Sequence, residues 1–185
     1  MSAGQFKCLG SIQHLKNRFG KGIVFRARLA QPDPAQVNRI LAALGRLEEI
    51  NSVNALTTTC SRLGRSDRIK KLTLTDPTGW VIRSSLDRDG SVDAKSFSLW
   101  WAAEDDGDKF EHFVHEKFAN AELMEKRPGQ FVFRLPELGM SLGKCFALFE
   151  SAKVQCRLQE YSVAGTSLES IFISLAQQQV DSQGK

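Results

Sequence analysis

Between Gly22 and Ala30 the chain alternates without a fault: Ile23, Phe25, Ala27 and Leu29 fall on one side of an extended backbone, Val24, Arg26 and Arg28 on the other. A period of two belongs to a strand with one buried face and one wet face. Such a strand cannot stand alone. It needs neighbouring strands for its backbone and an apolar layer for its buried face.

The second half of the chain is expected to supply both. Phe110, Phe113, Val114 and Phe118 make a helical stripe behind Asp108 as cap. Ala121–Lys126 reads as a short strand, Arg127-Pro-Gly-Gln130 as a turn, and Phe131, Phe133 and Leu135 alternate with Val132 and Arg134 until Pro136 ends the run. Leu142, Cys145, Phe146 and Phe149 give a second amphipathic helix, and Val154, Cys156 and Leu158 alternate along a strand that runs to about Tyr161. Thr166-Ser-Leu-Glu169 is a capping box, in which hydroxyl and carboxylate each satisfy an orphan amide of a final helix carrying Leu168, Ile171, Phe172 and Leu175.

Ahead of the first strand, Ser11–Phe19 reads as a short helix and Gly20-Lys-Gly22 as a turn. Behind it, Asp33 caps and Pro34 opens a helix whose apolar face is Val37, Ile40, Leu41, Leu44 and Leu47. From Asn51 to Gly107 the pattern is irregular. Ile69–Thr75 and Trp80–Leu86 read as strands joined by an Asp76-Pro-Thr-Gly79 turn, Ser96–Ala102 as a third, and the acidic run Glu104–Asp108 as a loop and helix start. With residues 31–107 set aside, the order is strand, helix, strand, strand, helix, strand, helix. This predicts an α+β fold: a ferredoxin-like βαββαβ sheet with an added C-terminal helix and a large α/β insertion after the first strand.

Composition narrows the function. Of 185 residues, 42% are hydrophobic and 25% charged, as in ordinary globular domains, and the formal charge of +4 is spread without a basic block. Nucleic acid is therefore not an expected partner; Phe131, Phe133 and Arg134 only faintly suggest an RNA-binding sheet, whose Lys/Arg-Gly-aromatic signature is missing. Cys8, Cys60, Cys145 and Cys156 have neither C-x-x-C spacing nor a paired framework, which suits reduced thiols. No apolar run approaches the roughly 20 residues of a membrane span, and the N-terminus lacks the apolar core of a signal peptide.

No phosphate loop, G-x-S-x-G elbow or H-E-x-x-H helix occurs, so no catalytic residue is nominated, and no cofactor or metal is expected. Asp87, Asp89, Gly90, Val92 and Asp93 fit part of a calcium loop, but Ser85 and Ser96 stand where it needs acids; an Asp-Gly hairpin turn is the simpler reading. His112 and His115 share a helix face without further ligands to complete a metal site, and His14 stands beside Lys16 and Arg18 with nothing to make it a base. Trp80, Trp100 and Trp101 suit either a partner or lipid surface or a small core of the insertion.

Two stretches resemble a known family. Residues 4–20, GQFKCLGSIQHLKNRFG, resemble the segment that closes the ATPase domain of A-subfamily ABC transporters, in which "GxFxCxGSxQHLKxRFGxGY" leads into a cytosolic regulatory domain; Ile23 replaces the usual aromatic. Phe131–Pro136, Ser141–Glu150, Tyr161-Ser-Val163 and Thr166–Phe172 resemble that domain's closing pattern, "FxLP … LFxxLE … YSVxxTSLExIF". Together they span about a third of the chain, and residues 31–107 carry no such resemblance.

The resemblance implies that residues 1–21 are the tail of an ATPase domain with a linker helix, 22–180 a regulatory domain, and 181–185 a disordered tail. It implies that Met1 is an internal methionine of the last ATPase strand and the chain a C-terminal fragment. The matching positions Gly10, Gln13, Leu15, Phe19, Gly20, Leu135, Pro136, Tyr161, Ser162, Leu168, Glu169 and Phe172 are expected to be structural or interface residues. ATP and Mg are implied for the parent transporter only, whose catalytic motifs have no counterpart here. Implied partners are the nucleotide-binding domain of the same transporter and a twin regulatory domain, at the cytosolic face of a membrane; expressed alone, the chain would be soluble and cytoplasmic. The competing reading from the residues is a free-standing ferredoxin-like binding module.

Overall fold

The computed structural model describes residues 22–45, 47–136 and 139–165. The expected helix at 11–19, the capping box at 166–169 and the final helix therefore lie outside the described residues.

The alternating segment is strand β1, Ile23–Leu29, and Phe25, Ala27 and Leu29 are buried. Gly22 sets its start: φ is 91°, and a Cβ there would lie 2.3 Å from the Leu135 carbonyl oxygen. Only glycine tolerates both. Asp33 caps α1 (Pro34–Leu44) by accepting from the Ala35 amide at 2.9 Å, and Val37, Ile40 and Leu44 are buried. Leu47 falls beyond this helix and is exposed.

The next segment departs from the expected strands. After β2 (Glu49–Ile50) come α2 (Val53–Arg62), a 3-10 turn over Ser66–Lys71, α3 (Trp80–Asp89), β3 (Val92–Asp93) and α4 (Ala94–Lys117). Ile69–Thr75 is not a strand, because the 3-10 turn takes its first half. Trp80–Leu86 is helical for a local reason. The Asp76 carboxylate accepts from the amides of Thr78 and Gly79 at 2.9 and 2.8 Å, so Asp-Pro-Thr-Gly leads into a helix rather than turning a hairpin. Ser96–Ala102 is the first part of α4, capped by Asp93 accepting from the Ser96 amide at 2.8 Å. Phe97, Trp100 and Trp101 sit at spacings that share a helix face, which the short window hid. The Asp-Gly pair is no hairpin either: Gly90, at φ 75°, ends α3.

The acidic run is neither a loop nor a helix start; α4 passes straight through it. Buried cations make that possible. Arg68 has no exposed side-chain surface and reaches Asp105 at 2.7 Å, Asp108 at 2.9 Å and the Trp101 carbonyl at 3.2 Å. Its guanidinium also stacks 4.5 Å from the Trp101 ring. Lys71 meets Glu104 at 2.6 Å and Asp108 at 3.1 Å. Burial alone would raise the Asp108 carboxyl, but hydrogen bonds from Arg68 and Lys71 hold it below the usual range.

The remaining elements are β4 (Glu122–Arg127), β5 (Gln130–Leu135), α5 (Leu142–Gln155) and β6 (Leu158–Gly165). Val154 is the correction here. It belongs to α5 and is 86% exposed, and the last strand starts only at Leu158. The four long strands form one antiparallel sheet in the order β4-β5-β1-β6, and β2 pairs with β3 through Ile50 and Val92. One core lies between that sheet and the helices α5 and the end of α4, built from Phe25, Phe110, Phe131, Phe133, Leu135 and Phe149 among others. A second core, with Val37, Leu56, Ile82, Phe97 and Trp101, belongs to the helical unit. The helix α4 serves both.

Candidate functional site

With one face of the sheet packed on helices, the other face is the part open to a partner. Register decides its content. Arg26 lies opposite Val132 on β5 and Ser162 on β6; Arg28 lies opposite Gln130 and Glu160; Glu122 lies opposite Arg134. Arg28 and Glu160 are 3.8 Å apart, Arg134 and Glu122 3.7 Å, and Arg127 and Glu125 2.6 Å. The first two are cross-strand pairs, which contribute about 0.2–1 kcal/mol each, and the third lies within β4. Among the described residues Arg26 alone of these four arginines has no acidic partner. It lies in the central strand, at a shallow depression of about 300 Å³ that Val132, Glu160 and Ser162 also line.

A guanidinium without an ion-pair partner, with Ser162, Val132 and Glu160 around it, can take a carboxylate from a partner, with its N–H edges donating. The alternation of β1 already put Arg26 on the wet face. Its isolation depends on cross-strand register, which no local pattern carries.

Four of the resemblance positions can be placed. Leu135 is fully buried in the sheet core, and Pro136 follows at the end of β5. Tyr161 faces the packed side: its ring lies 5.4 Å from Phe149 and 6.1 Å from Phe25, and its hydroxyl donates to Glu150 at 2.8 Å. Burial, and then the Glu150 carboxylate, push its phenol up. Tyr161 thus ties β6 to α5, while Ser162 is exposed beside Arg26 on the open face. Gly10, Gln13, Leu15, Phe19, Gly20, Leu168, Glu169 and Phe172 lie outside the described residues.

The other candidates separate cleanly. Trp100 and Trp101 are in the second core, and Trp80 is 46% exposed at the start of α3. His112 and His115 are both exposed on α4, with the His115 and Phe133 ring centroids 5.9 Å apart. His14 lies outside the described residues. In the calcium-like stretch, Asp87 pairs with Arg83 at 3.0 Å, Asp89 with Arg88 at 2.8 Å, and Asp93 is the α4 cap. These acids are engaged by the protein itself. Cys60, Cys145 and Cys156 are buried free thiols, and burial pushes Cys60 up to about 11. No helix among the described residues is long and apolar enough to cross a membrane.

Residues 97–165 match the family model for the ABCA1-like C-terminal R1 regulatory domain. That span starts within α4 and ends with β6, so it includes three of the four sheet strands. Over 176 residues, 95% of this chain, the sequence is 24% identical to human phospholipid-transporting ATPase ABCA3. It is 25% identical over 174 residues to ATP-binding cassette sub-family A member 17 of Rattus norvegicus, and 21% over 180 residues to the cholesterol transporter ABCA5 of Mus musculus. The chain spans about 6% of the length of the first two and 7% of the third. The resemblance read from the residues is therefore shown: this chain is similar to the A-subfamily ABC transporters, and its residues 97–165 match their C-terminal R1 regulatory domain.

Proposed function

We propose that the chain is a regulatory part of an A-subfamily ABC transporter whose whole protein couples ATP hydrolysis to lipid movement across a membrane. The observation that carries this is the match of residues 97–165 to the regulatory-domain family, in a chain aligned over 95% of its length with a phospholipid-transporting ATPase. In this reading residues 1–21 close an ATPase domain, and the sheet lies at the cytosolic face of the membrane. The sheet is a split βαβ arrangement, supported by its order β4-β5-β1-β6 with β1 in the interior and every pairing antiparallel. The separate core of the helical unit supports reading that unit as an insertion between the first strand and its crossover helix.

The open face around Arg26 docks on the nucleotide-binding domain of the same transporter or on a twin regulatory domain. Binding there biases one nucleotide state only if the contact differs between states, so the effect is a coupling free energy. ATP and Mg belong to the parent's own domain and are held by none of these residues. The comparisons favour this reading over a free-standing binding module.

Two measurements test it. Translation of the genomic sequence ahead of Met1 is expected to give in-frame Walker and signature motifs; a promoter without them overturns the reading. In the full-length transporter, Arg26→Glu is expected to change lipid-stimulated ATP hydrolysis by about fivefold, the low end of ordinary allosteric coupling. An unchanged rate rejects the open face as the docking surface.

A further inference from the structure

Between the helical unit and the sheet lies a half-open cleft of about 510 Å³, which meets the open sheet face at Arg28. Small-molecule sites run from about 300 to 1,000 Å³. Leu29, Pro32 and Phe131 form the wall on the sheet side, and Val81, Leu99 and Trp100 the wall on the helical side. Val81 and Leu99 remain 41% and 39% exposed, so apolar surface faces the opening instead of either core.

The charges that face the cleft are sorted by depth. Glu104 and Asp106 are almost covered: Glu104 meets Lys71 at 2.6 Å, while Asp106 lies 3.7 Å from Arg157, too far for a hydrogen bond, and burial pushes its carboxyl up. Lys126, also lining the cleft, is 13% exposed and held by Glu111. Arg28 and Arg127 stay open at 57% and 69% side-chain exposure. Their partners Glu160 and Glu125 lie on the open sheet face outside the cleft, and exposed pairs of this kind hold with only about 0–1 kcal/mol. An incoming anion can therefore engage either guanidinium at little cost. The result is an apolar cleft with a cationic mouth.

We propose that this cleft binds a small amphiphilic anion, its apolar body between Leu99 and Phe131 and its charged head at Arg28 and Arg127. The proposal does not depend on the transporter reading, because it rests on the cleft alone. Calorimetric titration of the full 185-residue chain with laurate and with dodecyltrimethylammonium, both below their micelle concentrations, tests it. Laurate is expected to bind at a single site, at least about tenfold (1.4 kcal/mol) more tightly than the cation. Ala103→Trp, which fills the cleft from α4, and Leu99→Asp, at a surface position that needs no repacking, should each weaken laurate by about tenfold or more. Arg127→Glu should weaken it less, with the thermal melt unchanged. The proposal is overturned if laurate gives no binding heat, if both surfactants bind equally, or if Leu99→Asp leaves laurate affinity intact.

Discussion

The sheet half of this chain is built around a phenylalanine-rich core and the helical half around aliphatic side chains with Phe97, Trp100 and Trp101, and the two are held differently. In the sheet layer, Phe25 stacks on Phe149 with ring centroids 3.9 Å apart, and the elements around them are pinned by strand register. Its side chains need little besides apolar surface and backbone pairing. The helical half has only the two-residue bridge of Ile50 and Val92 as a sheet. Its order depends on caps and on a buried ionic brace, with Arg68 at its centre. One core is thus specified by area and the other by a few directional polar contacts, in which removing one partner leaves the others buried and unpaired.

The largest expected effects come from emptying each core in turn. Phe25→Ala and Phe97→Ala should each cost about 3–5 kcal/mol. They should differ in reach: hydrogen exchange after Phe97→Ala is expected to rise first in α1–α3 while β1 and β5 stay protected, and after Phe25→Ala to rise throughout. Equal exposure of both halves in the two variants would break the comparison.

Next is the brace. Arg68→Ala removes the buried cation, leaving Asp105 without its partner and Asp108 with Lys71 and Arg65, at a cost of about 3 kcal/mol by denaturant unfolding. Acid should mimic it. The Asp108 carboxyl is held below its ordinary value in the folded state, so its stabilisation is present above the unfolded value and lost as pH falls through the folded one. Stability of the wild type should therefore drop from about pH 4 downward, and the Arg68→Ala curve should be flatter there. Parallel curves would remove Asp108 from the brace.

Gly22→Ala is expected to cost about 1–3 kcal/mol, because the new methyl meets the Leu135 carbonyl and the backbone must leave its positive φ. The smallest effect should be Tyr161→Phe, about 0.5 kcal/mol, since the ring contacts remain and only the bond to Glu150 is lost. A cost above that of Gly22→Ala would mean that β6 is anchored by the hydroxyl, which would put a directional polar contact at the centre of the sheet half as well.

The same division explains what could be read in advance. Strands β1 and β5, α1 and the start of α5 were legible because each shows its period over six or more residues; Gly45 and Pro136 mark the ends of α1 and β5, whereas no such residue marks the end of α5, where Val154 reads as strand. In the helical half, Trp80–Leu86 and Ser96–Ala102 are short apolar runs that fit either period, and the deciding features were the Asp76 and Asp93 carboxylates bonding back to the chain. The acidic run reads as a loop and helix start, because its countercharge, Arg68, stands 40 residues earlier and meets it only in the fold. At the open face, the sequence placed Arg26 on the wet side but could not show that it alone lacks an acid.

By itself, then, the sequence determined the alternating strands, the turn chemistry and the resemblance to A-subfamily transporters, all of them features written in neighbouring residues. Tertiary structure alone decided that α4 runs unbroken from one core to the other, that Arg26 is, among the described residues, the one of the sheet's four arginines without an acidic partner, and that a cleft opens between the halves. Those depend on contacts between residues far apart in sequence, where register and buried charge outweigh local preference.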